Sequence, residues 1–255
     1  MRQSDSLGSY DNKQPVSQRH VISGGSTGII YLLPSGYVRK SAYPGSEGRK
    51  QSLRDIEREY KIYQRLPHHD RLLQMIGYSL EDGIILEYMP NGNLRDYLQS
   101  GAALNLDQRL QWACDAAEAL HLVHSYNIIH CDVKPENFLL DSSFRLRIID
   151  FSGSSIDGSY ASAFEGVRFC LPRPWEAPST IVTDVFALGS TIYEIMTGTQ
   201  PYEEQTDEEV VALFEQAKFP SVDNLPCGEI IKRCWHSEVN SAEEIHASIK
   251  AEMRK

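Results

Sequence analysis

The sequence predicts an α+β protein of two lobes, in which a small β-rich N-terminal lobe with one key helix precedes a larger, mainly helical C-terminal lobe. Residues 16–89 carry short runs of β-branched and aromatic residues separated by Gly and Pro, with one helical interruption. From residue 93 onward, apolar residues recur at helical spacing. The sequence PNGN at 90–93 separates the two patterns, so we expect a hinge at 87–93 and a C-terminal lobe over about 93–255.

The N-terminal lobe is predicted to hold five strands and one helix. The runs VIS, GIIYLL and GYVRKSAY each predict a strand, and so do residues 72–79 and 84–89. Between residues 50 and 66 the apolar side chains recur at steps of three and four, which is the spacing of an amphipathic helix. These side chains are Leu53, Ile56, Tyr60, Tyr63 and Leu66.

The C-terminal lobe is predicted to hold six helices and two short buried strands. The strands, at 128–129 and 138–140, flank a polar loop. Residues 1–15 are polar and rich in Gly, Ser and Asn, so we expect a disordered tail there, followed by a single domain over 16–255. The predicted helices cover residues 93–99, 106–125, 183–197, 207–218, 227–236 and 241–253.

Composition and charge limit the class of function. The 255 residues carry a formal net charge of −10, which argues against phosphate-backbone binding, so we expect no nucleic-acid partner. Five cysteines occur without a CxxC pair, which is typical of a reducing compartment. The sequence shows no apolar leader and no long apolar run. We therefore expect a monomer without membrane association, located in the cytoplasm, with the nucleus left open.

Two stretches, IIHCDVKPENFLL (128–140) and RLRIIDFSGSS (145–155), carry the residues with the clearest chemistry. Asp132 and Asp150 each follow an apolar run that can hold a side chain rigidly. Phosphoryl transfer needs one carboxylate that accepts a hydroxyl proton and another that holds a divalent metal. Asn137 adds an oxygen of the kind that Mg²⁺ binds, and Lys134 can neutralise a phosphate. Each residue alone could be a turn former, but the ordered set favours phosphoryl transfer.

Three further features are ambiguous when taken alone. SGGSTG (23–28) fits either an anion-binding loop or a tight β-turn, and the strand after it argues against a helix-opening phosphate loop. Lys40 shares a strand face with Val38, so it is either an exposed lysine or a buried cation that needs an anionic partner. Glu59 in the amphipathic helix is the candidate partner, and Glu57 is a competitor.

Taken together, these motifs resemble those of eukaryotic protein kinases over about residues 21–249. SGGSTGII is similar to the glycine-rich loop, VRK to the strand-three lysine motif, ILEYMPNGNL to the hinge, HCDVKPEN to the HRDxKxxN loop and DFS to the DFG triplet. TDVFALGSTIYEIMTGTQPY (183–202) resembles helix F, with Asp184 as its buried anchor. The NFLLD and FALGSTIYEI stretches resemble compact, divergent kinase domains common in fungal genomes.

The resemblance implies an ATP-dependent protein kinase that binds ATP and Mg²⁺ and phosphorylates a protein substrate. Asp132 would be the catalytic base and Lys134 would contact the γ-phosphate, while Asn137 and Asp150 would bind Mg²⁺. Lys134, in place of the arginine or alanine of tyrosine kinases, indicates a Ser or Thr acceptor. The residues implied in binding the nucleotide are Ile22, Gly25, Gly28, Ile30, Lys40, Glu59, Leu86 as gatekeeper, Glu87, Met89, Asn93 and Leu139.

Three positions in the nucleotide and catalytic motifs depart from the family pattern. Ser23 replaces the first glycine of the glycine-rich loop. Cys131 replaces the arginine that pairs with a phosphorylated activation loop, a role that a thiol cannot take. Ser152 replaces the glycine of DFG, so we expect the Asp-in to Asp-out flip to be harder. These departures leave open a pseudokinase that acts as a nucleotide-binding or scaffolding module, and more remotely a small-molecule or RNA-linked kinase.

The motif that precedes helix F is harder to align. Either LPR (171–173) or PWE (174–176) occupies the place of the family's APE motif, and the distance to Asp184 favours LPR. Arg173 then replaces the usual glutamate, and the arginine that normally pairs with it is absent near Asn240. We therefore expect both members of that ion pair to be missing, which costs less than the loss of one.

Overall fold

The computed structural model describes residues 20–25, 27–45 and 48–254. The predicted tail, residues 1–15, lies outside the described residues.

The N-terminal part is a five-stranded antiparallel sheet in the order β1-β2-β3-β5-β4. Every residue of the central strand β3 is buried, so the alternation of inward and outward side chains expected for a half-buried strand does not hold there. Lys40 is therefore a buried cation. The strands are β1 (His20–Gly24), β2 (Ile29–Leu32), β3 (Val38–Ser41), β4 (Met75–Ser79) and β5 (Gly83–Leu86).

Helix α1 (Arg49–Arg65) packs against β5 of this sheet. The helix is amphipathic, as its spacing predicts, and its buried residues include Ile56, Glu59, Ile62 and Tyr63. The buried face also carries the polar residues Ser52, Asp55 and Glu59, and Glu59 is 1% exposed. A buried charge needs a partner, so the register of α1 directs Glu59 toward the sheet residue that can pair with it.

The C-terminal part is mainly helical and contains two small two-stranded sheets. Strand β6 (Ile128–Ile129) pairs with β9 (Ser155–Ile156), and β7 (Phe138–Leu140) pairs with β8 (Leu146–Ile148). A sheet with one helix followed by a mainly helical part confirms the predicted α+β fold class. The helices are α2 (Leu94–Gln99), α3 (Leu106–Ser125), α4 (Ile181–Thr197), α5 (Asp207–Glu215), α6 (Gly228–Trp235) and α7 (Ala242–Glu252).

Helix α4 lies at the centre of the helical part, packed against α3 and α6. It begins at a capping box between Thr180 and Thr183 and ends at Gly198, whose φ of +89° suits a glycine. Apolar residues surround most of the helix, so it is buried on nearly all sides. Asp184 and Glu194 are buried inside this environment and must be paired.

Several predicted boundaries differ from the observed ones, and three differ by three residues: the start of β4, the end of α5 and the end of β5, which is Leu86 rather than residue 89. Strand β4 starts at Met75 rather than at residue 72, because Leu72 instead bridges in parallel to Ile148 and a bulge interrupts the pairing after Met75. Helix α5 ends at Glu215 rather than at residue 218. The amide of Lys218 turns back to the carbonyl of Leu213, which closes the last turn.

Among the described residues, no helix has both the length and the apolar character that crossing a bilayer requires.

Candidate active site

The polar loop between β6 and β7 presents Asp132. Its Oδ2 atom accepts hydrogen bonds from Lys134 Nζ at 2.7 Å and from Asn137 Nδ2 at 3.0 Å. Its Oδ1 atom is buried and has no hydrogen-bond partner among the described residues. A buried acceptor is normally satisfied, so this oxygen is available for a hydroxyl group of a substrate.

The backbone before Asp132 is fixed by a carboxylate from helix α4. Asp184 accepts hydrogen bonds from the backbone amides of His130 at 2.7 Å and Cys131 at 2.9 Å. His124 Nε2 also donates to this carboxylate at 2.9 Å. Cys131 adopts a φ of +67°, which is strained for a residue with a side chain, and the two amide contacts hold it in that conformation. The predicted role of Asp184 as a buried anchor thus has a specific contact set.

Lys40, Glu59 and Asp150 form one ion-paired cluster. Lys40 Nζ lies 2.7 Å from Glu59 Oε2 and 2.6 Å from Asp150 Oδ1, although Asp150 is 110 positions away in the sequence. The alternative partner, Glu57, is half-buried and pairs with Lys61 on the same helix. The cluster therefore joins β3, α1 and the segment after β8.

Burial and charge act in opposite directions on this cluster. Burial lowers the pKa of Lys40, but the attraction of Asp150 and Glu59 outweighs it and holds that pKa above its usual value. Burial raises the pKa of Asp150, yet the neighbouring ammonium of Lys40 brings it well below the usual value. Burial raises the pKa of Glu59 against the attraction of Lys40. Lys40 is therefore protonated and Asp150 ionised at neutral pH.

The triplet Asp150, Phe151 and Ser152 is locked by several contacts. Ser152 Oγ donates to Asp150 Oδ1 at 2.6 Å and lies 3.4 Å from Lys40 Nζ, contacts that a glycine could not make. Phe151 is fully buried and makes edge contacts with Tyr63 of α1 and with His130, each at a ring-centroid distance of 5.4 Å. These contacts give a physical basis for the prediction that Ser152 hinders the Asp-in to Asp-out flip.

His130 connects the two stretches that carry the chemistry. Its Nε2 atom lies 2.9 Å from the carbonyl oxygen of Ile149. Because a carbonyl only accepts hydrogen bonds, Nε2 must carry the proton. The loop that ends at Asp132 and the segment that presents Asp150 are therefore held directly to each other.

The predicted nucleotide-binding residues of the first strands lie in β1 and β2 and in the turn between them. Ile22 is in β1 and 39% exposed, and Gly25 follows the strand. Ile30 pairs across the sheet with Lys40. At Gly28, a Cβ atom would lie 2.6 Å from the carbonyl oxygen of Ser41, so only glycine permits this close approach of β2 to β3.

The predicted adenine-binding residues lie along β5 and the chain that follows it. Leu86 and Met89 are each 5% exposed. Glu87 pairs through its side chain with Arg147 at 3.0 Å, and its backbone amide donates to the carbonyl of Gln74 at 3.0 Å, so neither its carboxylate nor its amide is free for a ligand. Asn93 caps helix α2 and forms a bridge to Leu139, which brings these two predicted residues together.

A cavity of about 570 Å³ lies beside the cluster, and its lining contains the predicted catalytic residue Asp132 and the predicted metal ligand Asp150. Helix α1 contributes four residues to its lining, and none of the predicted adenine-binding side chains lines it. Asp132 and Asp150 share this space although they are eighteen residues apart in sequence. The residues that line it are Thr27, Gln51, Arg54, Asp55, Arg58, Asp132, Asp150, Ser152, Gly153, Tyr160, Ser162, Ala163 and Phe164.

The donor atoms present fit a magnesium ion accompanied by phosphates. The described residues contain no group of three or more His, Cys, Asp or Glu side chains placed to hold a metal by themselves. Mg²⁺ uses one or two carboxylates and completes its shell with water and substrate phosphates, so such a group is not required. Asn137 uses its amide nitrogen to bond Asp132, which leaves its amide oxygen as a hard ligand. The hydrogen bonds from Lys40 and Ser152 to Asp150 both reach Oδ1.

Sequence reasoning missed a contact between the segment after Ser152 and helix α1. The amides of Ser162 and Ala163 donate to the carbonyl of Gly153, where a Cβ atom would lie 2.2 Å from that of Ala163. Arg58 Nη1 donates to Ser162 Oγ at 2.6 Å, and Ser162 Oγ donates to Asp55 Oδ1 at 3.0 Å. No short motif signals this contact, because it depends on the path of the loop.

Sequence reasoning also missed Arg95. Its guanidinium contacts Glu194 of α4 at 2.7 Å and Glu136 of the loop that follows Asp132. Glu194 is 1% exposed, and a carboxylate inside an apolar helical run is the signal that could have indicated a buried cation. Arg95 therefore ties helix α2 to the central helix and to the catalytic loop.

Arg173 has an ion-pair partner that the sequence did not predict. Arg173 Nη2 lies 2.8 Å from Glu165 Oε2, and the Glu165 side chain is fully buried. The partner comes from the same segment of chain, eight residues earlier, rather than from the region of Asn240. Sequence spacing gave no signal for it, because the contact depends on how the loop closes.

Cys131 is expected to resist alkylation in the folded protein. Burial, together with the carboxylate of Asp184, raises the pKa of the Cys131 thiol from 9.0 to about 12. At neutral pH its thiolate fraction is then about a thousandfold lower, and the thiolate is the reactive form. Iodoacetamide labelling followed by mass spectrometry of the cysteine peptides measures this, with the protein in guanidinium as the matched control. Labelling of native Cys131 as fast as in guanidinium would contradict the expectation.

Comparison with known proteins agrees with this geometry. The model of the protein tyrosine and serine/threonine kinase family matches residues 42–249. A putative leucine-rich repeat receptor-like serine/threonine-protein kinase of Arabidopsis thaliana is 31% identical over 207 residues, covering 73% of this chain and 22% of the relative. The calcium/calmodulin-regulated receptor-like kinase 2 of the same plant is 29% identical over 209 residues, covering 75% of this chain and 48% of that relative. The chain thus spans under half the length of these curated relatives, and it belongs to the protein tyrosine and serine/threonine kinase family.

Proposed function

We propose that the chain is an ATP-dependent protein kinase that transfers the γ-phosphate of ATP to a Ser or Thr hydroxyl of a protein substrate. The observation that carries this proposal is the convergence of Lys40, Glu59 and Asp150 into one ion-paired cluster beside a cavity that Asp132 also lines. Phosphoryl transfer asks for positioning and charge neutralisation more than for covalent chemistry by the protein. Lys40 supplies a fixed cation, Asp150 a fixed anion and Asp132 a hydrogen-bond acceptor, and together they can position and neutralise the reacting groups.

Asp132 is proposed to orient the acceptor hydroxyl and take up its proton. Its Oδ1 atom has no partner among the described residues, whereas Oδ2 is held by Lys134 and Asn137. One oxygen thus fixes the carboxylate and the other faces the reaction. Lys134, already 2.7 Å from this carboxylate, is placed to neutralise the negative charge of the transferring group.

Asn137 and Asp150 are proposed to hold Mg²⁺, and Lys40 to hold the α- and β-phosphates. Bound Mg²⁺ would neutralise phosphate charge and help to align the leaving group. Glu59 orients Lys40 from the helix side, so the ammonium stays in place when a phosphate competes with Asp150 for it. The proposed adenine site comprises Leu86, Glu87, Met89 and Leu139 with Ile22 and Ile30, and Gly25, Gly28 and Asn93 border the rest of the nucleotide.

The finer assignments of partner and location are part of the same proposal. Lys134 in the catalytic loop supports Ser and Thr over Tyr as acceptors. The net charge of −10 supports a protein substrate rather than a nucleic acid. We further propose that the chain acts as a monomer in the cytoplasm, because its five cysteines occur without a CxxC pair, which is typical of a reducing compartment.

The test is phosphate transfer from radiolabelled ATP with Mg²⁺ to a mixture of Ser-, Thr- and Tyr-containing peptides. We expect labelled phosphoserine and phosphothreonine, and no transfer when Mg²⁺ is removed by EDTA. Binding of Mg-ATP in a thermal-shift assay without any transfer would instead support the pseudokinase. Labelled phosphotyrosine as the main product would overturn the assignment of the acceptor. The absence of both transfer and a thermal shift would overturn the nucleotide-binding proposal altogether.

A further inference from the structure

Helix α1 lines the cavity with two cations and one carboxylate. Arg54 and Arg58 supply the cations, and Asp55 supplies the carboxylate. The two arginines are four positions apart in the helix, so they lie on the same face. The helix thus presents positive charge to the space that Asp132 also lines.

The two carboxylates of the cavity that belong to the proposed active site are each paired with a lysine. Asp132 Oδ2 lies 2.7 Å from Lys134 Nζ, and Asp150 Oδ1 lies 2.6 Å from Lys40 Nζ. A close pair of opposite charges has little net charge when seen from a distance. These two carboxylates therefore do not compensate the arginines of α1.

The third carboxylate, Asp55, is held in the wall of the cavity. It is 4% exposed, and its Oδ1 atom accepts hydrogen bonds from Gln51 Nε2 at 2.9 Å and from Ser162 Oγ at 3.0 Å. Arg58 Nη1 lies 3.7 Å from the same oxygen and donates to Ser162 Oγ at 2.6 Å. Asp55 therefore compensates part of the charge of Arg58, and Arg58 is engaged with the segment that carries Ser162.

Arg54 is the cation of this wall that remains without a carboxylate. Within the described part of the chain, no Asp or Glu oxygen lies within 4.0 Å of its guanidinium. Its Nη2 atom donates to the neutral amide oxygen of Gln51, and the side chain is exposed. A guanidinium has five donors in a planar fork that matches a carboxylate, so Arg54 keeps donors free for an anionic ligand.

Exposed aromatic rings line the same cavity. Tyr160 and Phe164 both belong to its lining, and Tyr160 is 82% exposed. Phe164 stacks on Trp175 with the ring centroids 4.6 Å apart, and the Trp175 side chain is also exposed. Aromatic residues and Arg are enriched where proteins bind polypeptides. The cavity therefore offers apolar contact area for a polypeptide together with a free cation for an anionic side chain.

We propose that Arg54 is a specificity-determining residue that binds an acidic side chain of the acceptor polypeptide, near the hydroxyl that is oriented by Asp132. This inference rests on the proposed kinase function and deepens it, because it names the substrate class: a polypeptide with Asp or Glu close to the acceptor Ser or Thr. The whole chain has a net charge of −10, so the attraction is local and arises at this wall. Arg54 is not part of the ion-paired cluster proposed to hold the phosphates, so its effect is on the acceptor and not on ATP.

The variants for the test are Arg54→Met, which removes the charge, and Arg54→Glu, which reverses it. Arg58 is left unchanged, because its substitution would also remove its bonds to Ser162 and Ser152. Arg49→Glu is the matched control, since Arg49 is an exposed arginine of the same helix that does not line the cavity. Circular dichroism melts verify that each variant keeps the fold.

The acceptors are sets of peptides that differ at a single position. In each set, Glu, Gln or Lys occupies the same place near the acceptor Ser or Thr, and the sets place this residue at successive positions before and after the acceptor. Gln has nearly the size of Glu without its charge, so the ratio of transfer to the two peptides measures the effect of the charge. Steady-state kinetics give kcat/KM for each peptide and the KM for ATP.

In the unchanged protein we expect kcat/KM for the best Glu peptide to exceed that for its Gln counterpart about tenfold. Arg54→Met should lose most of this preference, and Arg54→Glu should prefer the Lys peptide instead. Arg49→Glu should keep the preference for Glu. In all variants the KM for ATP should stay within about twofold of the unchanged protein. The preference should also fall when the salt concentration is raised from about 0.05 M to about 0.5 M, because exposed charges are screened.

Equal transfer to the Glu and Gln peptides by the unchanged protein would overturn the inference, and so would a preference for Lys. An equal loss with all three peptides in Arg54→Glu would also overturn it, because Arg54 would then support the structure rather than the choice of acceptor. If the unchanged protein transfers phosphate to no peptide, the kinase proposal fails and the inference falls with it. Transfer without a preference for Glu overturns the inference alone.

A phosphate on the chain's own Ser162 is the other source of an anion at this wall, because the hydroxyl of Ser162 already accepts a bond from Arg58. Each protein is therefore assayed before and after treatment with a phosphatase, and mass spectrometry identifies any phosphate on Ser162. A preference for Glu that persists in the dephosphorylated protein supports the inference. An effect of Arg54→Glu that occurs only in protein phosphorylated on Ser162 would assign the anion to the chain itself and refute the inference.

Discussion

Replacing Asp132 with Asn is expected to lower kcat for phosphoryl transfer by about 10²–10⁴-fold, the usual contribution of a general base. The amide is nearly the same size as the carboxylate and keeps an oxygen for the bond from Asn137 Nδ2. It cannot take up a proton from the acceptor hydroxyl, however, and it presents no negative charge to Lys134. Lys40, Glu59 and Asp150 are untouched, so the KM for ATP should change little.

Steady-state kinetics with varied ATP and fixed peptide measure both quantities. Asp70→Asn is the matched control, because it makes the same chemical change at an exposed position outside the site. A thermal-shift titration with Mg-ATP verifies that the Asp132→Asn variant still binds nucleotide. If this variant keeps more than about a tenth of kcat, Asp132 does not have the role of a general base.

Replacing Arg95 with Met is expected to lower the free energy of unfolding by about 3–5 kcal/mol, because it leaves Glu194 buried and unpaired. Glu194 is 1% exposed inside the central helix, and Arg95 contacts it with two guanidinium nitrogens at 2.8 and 2.7 Å. Burial raises the pKa of Glu194 against the attraction of Arg95, so removing the arginine favours the protonated acid further. Urea unfolding followed by circular dichroism measures the change.

The double variant Arg95→Met with Glu194→Met separates loss of packing from loss of charge pairing. It removes both members of the Arg95–Glu194 pair, so its stability should recover most of the difference. Arg65→Met is the matched control, since it breaks an exposed pair with Asp157 and should change stability little. Equal destabilisation by Arg95→Met and Arg65→Met would contradict the argument.

Much of the fold follows from the sequence, because the signals are local. The amphipathic spacing that contains Glu59 predicts a helix at 50–66, and α1 covers 49–65. Periodicity likewise predicts α3 at 106–125, where it is observed. The end of α5 depends on a return hydrogen bond from Lys218 to Leu213, and such a bond is hard to read from composition.

The sequence predicts those residues of the site that belong to recognisable sequence motifs, and it does not predict the others. The resemblance to kinases predicts roles for Lys40, Glu59 and Asp150, and it favours Glu59 over Glu57 only by alignment. The pairings of Arg95 and Arg173 are not motifs. Each joins residues whose separation in sequence carries no signal, so only the closing of the chain in three dimensions determines them.

The carboxylate of Asp184 has a consequence for how substitutions in this chain would score in a mutational scan. It lies in the interior of a helix that is buried on nearly all sides, and it bonds to the amides on which the reactive loop depends. Positions are usually divided into those that matter for stability and those that matter for catalytic activity, and such a residue belongs to both groups. A change there would score as a defect of both kinds at once, and no assay of abundance alone could tell the two apart.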